Sequence, residues 1–80
     1  MNKEVIYQTY GETAKNILIE AYPQYVASVT LWIEFQKVSR KASLSLVSAV
    51  IGGLRDHGLT VENKHGVGYR LNPPDVASTE

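Results

Sequence analysis

The sequence predicts a small α+β domain built from three helices and a small antiparallel β-sheet. Apolar residues mark three helical stretches: Ala14, Ile17, Leu18 and Ala21; Leu31 to Val38; and Val47, Ile51 and Leu54. Further on, Leu59 and Val61 alternate with Thr60 and Glu62, and Tyr69 and Leu71 alternate with Arg70, the period of half-buried strands. Between those two runs, Asn63 to Gly68 holds Gly66 and Gly68, which permit a sharp reversal.

In chain order, residues 1–11, MNKEVIYQTYG, are either the start of the first helix or an N-terminal extension. Val5, Ile6, Tyr7 and Tyr10 make this stretch too apolar for a free tail, and Gly11 weakens a continuous helix without forbidding it. Glu12 to Ala21 reads as the first helix. Its apolar stripe is Ala14, Ile17, Leu18 and Ala21, with Glu12, Lys15 and Glu20 off the stripe. Pro23 disfavours helical geometry at Tyr22 and ends it. Tyr25 to Ser28 is short and partly β-branched. Thr30 is the best N-cap for a second helix carrying Leu31, Trp32, Ile33, Phe35 and Val38, and Ser39 to Ala42 form the turn after it.

Ser43 is the expected N-cap of the third helix, which runs to Asp56. Val47, Ile51 and Leu54 face inward, with Leu44 or Val50 at the edge of the stripe. Gly52-Gly53 costs on the order of 1 kcal/mol per glycine inside a helix, offset by close packing on the first helix unless the helix bends there. Gly58 can end the helix in the left-handed conformation, and His57 can interact with its terminal carbonyls. Asn72, Pro73 and Pro74 stop the second strand; Asp75 to Glu80 is small and polar, and residues 73–80 are expected to be a disordered tail.

The segment LRDHGLTVENKHGVGYRL resembles the end of a winged helix-turn-helix DNA-binding domain, with the G-x-G-Y-x-aliphatic signature at Gly66, Gly68, Tyr69 and Leu71. The similarity is to the N-terminal repressor domain of bacterial biotin ligase and to response-regulator output domains. It covers roughly residues 28 to 72, and the domain as a whole spans 12–72. It implies that the third helix is a recognition helix, that the hairpin is the wing, and that a short strand near Tyr25 to Ser28 pairs with the wing. The turn lacks the glycine of the tightest family pattern.

Composition narrows the functional classes. The formal net charge is zero, but it is unevenly spread. Residues 37–70 hold Lys37, Arg40, Lys41, Arg55, Lys64 and Arg70 against only Asp56 and Glu62, and the rest of the chain is correspondingly acidic. With no cysteine there is no disulfide framework and no thiolate metal site, which fits a cytoplasmic location. No run approaches membrane-spanning length, and the first residues lack a signal-peptide pattern. Two histidines without cysteine supply neither a catalytic constellation nor a metal cluster, so neither enzyme activity nor a cofactor is expected.

If Val47, Ile51 and Leu54 face the core, then Ser45, Ser48, Ala49, Gly52 and Arg55 face outward. Such a helix fits the major groove, where small residues allow close approach and serine hydroxyls can meet bases or phosphates. This face lacks the Arg, Asn or Gln of bidentate base contacts, and Arg55 is placed to meet phosphate. Ser39, Arg40, Lys41 and Ser43 suit phosphate contacts in the turn, while Lys64 and His65 at the hairpin tip and Arg70 on the returning strand suit phosphate or the minor groove. The expected partner is therefore double-stranded DNA, bound by a small bacterial, phage or mobile-element regulator. A homodimer through the N-terminal segment and a regulatory protein partner are further expectations. The rival is a winged-helix protein-interaction module without DNA binding.

Overall fold

In the computed structural model, which describes residues 3–72, the elements are α1 (Lys3–Ala21), α2 (Ser28–Val38), α3 (Leu46–Asp56), β1 (Val61–Lys64) and β2 (Gly68–Leu71). The architecture is α+β, three helices and a two-stranded antiparallel hairpin. Residues 73–80, expected as a tail, lie outside the described residues.

The first helix starts at Lys3, not Glu12, so the N-terminal segment is the beginning of α1. Gly11 does not interrupt it because the glycine is packed: a β-carbon there would stand 2.8 Å from the Tyr7 ring. Tyr7 also lies against Gly53 of α3, where a β-carbon would come within 3.1 Å. One tyrosine thus fills the space left by two glycines, and close packing on α1 accounts for Gly53. Gly52 faces open space. Ile6 and Tyr10 are buried in the chain's own core. The Tyr10 and Phe35 rings meet at 5.2 Å between centroids.

Both expected N-caps are displaced. α2 begins at Ser28, two residues before Thr30, and Ala27 is its cap without any side-chain bond. The extended backbone at Ala27 follows from its neighbour: Val26 forms an antiparallel bridge with Tyr69, with N···O distances of 2.7 and 2.9 Å. This bridge is the short pairing expected near Tyr25 to Ser28. α3 begins at Leu46, not Ser43. The Ser43 hydroxyl lies 3.0 Å from the Ser45 hydroxyl instead of reaching a backbone amide, and the intervening residues form a turn. The other end agrees with expectation: Gly58 has φ +90°.

Leu18, Leu31, Phe35, Val47, Val50, Ile51, Leu54 and Leu71 are the largest fully buried side chains. Val50 belongs to the buried stripe of α3, and Leu44 does not. The hairpin pairs Val61 with Leu71 and Glu62 with Arg70. Side chains alternate across a strand, so Val61 and Leu71 close the core while Glu62, Lys64 and Arg70 share the other face. At the tip, Val67 N donates to Lys64 O at 2.9 Å, and Gly66 at φ +78° meets the requirement of a type II turn. No helix among the described residues is long and apolar enough to cross a membrane.

Candidate nucleic-acid interface

The turn between α2 and α3 is fixed from inside. Trp32 Nε1 donates to Ala42 O at 2.9 Å, and Ala42 N donates to Ser39 O at 3.1 Å. Ser39 is half-buried, and its hydroxyl accepts from Lys41 N at 3.4 Å. Arg40, Lys41 and Ser43 are exposed. Beyond them, α3 turns Ser45, Ser48, Ala49 and Arg55 to solvent, with Gly52 half-exposed among them. The outward strip is therefore where the helical period places it, and it is made of small side chains up to Arg55.

Two cations expected to be available to a ligand are held by the protein. Arg55 curls onto the hairpin and donates from Nε and Nη2 to Val61 O at 3.3 and 2.8 Å. Arg70 donates to Glu62 Oε1 at 2.9 Å and to Pro23 O at 3.4 Å, with its guanidinium 4.7 Å from the centroid of the Tyr25 ring. Tyr25 completes the group by donating its phenol to Glu62 Oε2 at 2.6 Å. Arg70 is half-buried and its charge is answered by Glu62, so it is not a free phosphate ligand. Sequence reading missed Tyr25 and Glu62. The available signal was register: counting outward from the turn sets Glu62 opposite Arg70, a cross-strand pair of opposite charge.

Hydrogen bonds from Tyr25 first, and from Arg70 second, hold the Glu62 carboxyl below its usual range. The same contact raises the Arg70 guanidinium, and donation to Glu62 raises the Tyr25 phenol. A carboxylate whose folded pKa is depressed contributes stability above its unfolded pKa and loses that contribution as pH falls through the folded pKa. Acidification through the carboxylate range should therefore lower the thermal midpoint less steeply in Glu62→Gln than in the parent. Thermal melts across that range provide the measurement, and superimposable slopes would show that Glu62 is not a source of the acid sensitivity.

Lys64 and His65 are exposed at the hairpin tip, with Lys64 Nζ 5.5 Å from the Tyr25 centroid. The tip closes one side of a cleft lined by Ala27, Ser28 and Asn63 to Gly68, which brings the start of α2 beside Lys64 and His65. His57 does not join this surface. Its Nδ1 lies 3.0 Å from Gly53 O and its ring stacks on Tyr7 at 3.7 Å, the helix-end role expected of it. Among the described residues no cluster of His, Cys, Asp or Glu could hold a metal ion.

Arg40 and Lys41 on the connection and the outer strip of α3 are thus exposed, and Arg55 at the end of that strip reaches the edge of the hairpin. No protein-family model matches this chain, and no curated protein or solved structure matches it.

Proposed function

We propose that this chain is a winged helix-turn-helix domain that binds double-stranded DNA, with α3 as the recognition helix and the β1–β2 hairpin as the wing. The observation that carries this reading is the outer strip of α3. Ser45, Ser48, Ala49 and Gly52 leave the helix without bulk on its solvent side, so its backbone can approach a groove floor closely. Arg40 and Lys41 stand at the start of that strip and supply phosphate contacts, which set register and salt-dependent affinity. Lys64 and His65 give the wing tip the same chemistry. A small bacterial, phage or mobile-element regulator is the natural setting for such a domain, in transcription or as an accessory to recombination or replication.

Arg40→Ala combined with Lys41→Ala should weaken binding to all duplexes alike and reduce the salt slope by roughly 1–2 units. A salt titration against random-sequence duplex measures this, and an unchanged slope would remove both residues from the interface. The second reading, a protein-interaction module, is favoured by the bonds that tie Arg55 and Arg70 to other residues of the chain. Under that reading even the parent protein fails to bind random duplex at low salt.

A further inference from the structure

The side of α2 turned away from the core carries two aliphatic side chains left open by the described residues. Val29 and Ile33 lie one turn apart, each 49% exposed. Next to them a groove between α1 and α2 is lined by Ile17, Glu20, Ala21, Thr30 and Glu34. Its ionisable lining is carboxylate only. Glu34 accepts from Lys37 at 2.9 Å, an exposed pair that contributes little in water and exchanges readily for another cation.

The opposite chemistry follows the last turn of α2. The connection from Val38 to Leu44 exposes those two aliphatics by 48% and 51%, with exposed Arg40 and Lys41 between them. Two aliphatics and two cations on a connection match two aliphatics and two carboxylates along a groove. The chain cannot satisfy this match within itself, because the groove runs along the first turns of α2 and the connection leaves from its last.

We propose that copies of this chain associate head to tail, the Val38–Leu44 connection of one seated on the α1–α2 groove and the Val29/Ile33 face of the next. The two patches differ, so the contact does not close as a two-fold dimer does. Each addition leaves one groove and one connection open, and the product is an open row of copies. Zero net charge removes overall repulsion between copies, while the basic and acidic halves orient their approach. The ion pairs select the orientation and the aliphatics supply the burial. This inference does not rest on DNA binding, although it uses Arg40 and Lys41, so a duplex and a second copy compete for them.

Sedimentation velocity from micromolar concentration upward tests it. The average mass should rise with concentration at low salt and return to the monomer at high salt, as screening weakens exposed charge pairs. Glu20→Lys with Glu34→Lys should weaken association by about tenfold or more, as should Arg40→Glu with Lys41→Glu. An equimolar mixture of the two altered proteins should regain association, because each carries the charge that the other's patch now requires. All four positions are exposed or at the surface, so matched thermal midpoints confirm that the altered proteins are folded. Lys64→Glu should associate like the parent; a loss there would move the contact to the hairpin tip and overturn the assignment. A parent that is monomeric at every concentration, or a mixture that stays monomeric, would also overturn it. The Glu20→Lys, Glu34→Lys protein retains Arg40 and Lys41, so its binding to duplex DNA reports on the proposed function separately.

Discussion

Gly68→Ala should cost about 3–5 kcal/mol of folding stability, combining backbone strain of about 1–3 kcal/mol with two backbone hydrogen bonds of about 1 kcal/mol each. Gly68 sits at φ +148°, where L side chains rarely go. A β-carbon there would land on the Val26 carbonyl, 2.6 Å from its carbon and 2.9 Å from Ala27 N. These are backbone atoms, so no side chain can swing away to make room. Relief requires parting the Val26–Tyr69 bridge, and with it the attachment of the hairpin to the segment before α2. Gly66→Ala is the matched control. Its φ is +78°, but a β-carbon there meets open space, so its cost should stay near the 1–2 kcal/mol of left-handed backbone alone. Urea unfolding of the pair provides the comparison. Equal losses would mean that contact with Val26 is not what constrains Gly68.

Ile51→Ala should cost about 2–5 kcal/mol, the range for truncating a buried aliphatic side chain. Ile51 is 1% exposed and sits among Val47, Val50 and Leu54 where α3 meets the rest of the core. Proteins of this size have little stability in reserve, and a loss of this size is a large share of it. Ser48, nearly a turn earlier and exposed, is the internal control: Ser48→Ala should leave folding within about 0.5 kcal/mol. On the proposed function the same change lowers duplex affinity or alters base preference. Thermal melts and duplex titrations separate the two effects. Comparable thermal losses would contradict the burial pattern of α3.

The parts of the fold legible in the sequence are those governed by local period. The α3 stripe, the hairpin and its glycines, the Gly58 stop and the outward serines all follow from spacing along a few residues. What spacing missed depends on distant neighbours. α1 continues through Gly11 because Tyr7 packs against it and against Gly53, which lies far along the chain. Thr30 has the chemistry of a cap, yet the Val26–Tyr69 bridge sets where α2 begins. Ser43 has the hydroxyl of a cap, yet that hydroxyl lies against Ser45 instead. Arg55 and Arg70 look like available cations in the sequence, which displays charge but not the carbonyl or carboxylate that answers it.

The engagement of Arg55 also has a consequence for strand addition. In an antiparallel pair, alternate residues turn their N–H and C=O groups away from the partner strand. Val61 and Tyr69 are such residues, one on each outer edge of the hairpin: Val61 O is held by Arg55, and Tyr69 by Val26. A two-stranded hairpin has no inner strand, so each edge is a template on which an extended chain can grow a third strand. Here the Arg55 guanidinium occupies Val61 O on one edge, and the Val26 bridge occupies the Tyr69 backbone on the other. Arg55 therefore takes up one of the backbone acceptors that a third strand growing on β1 would need.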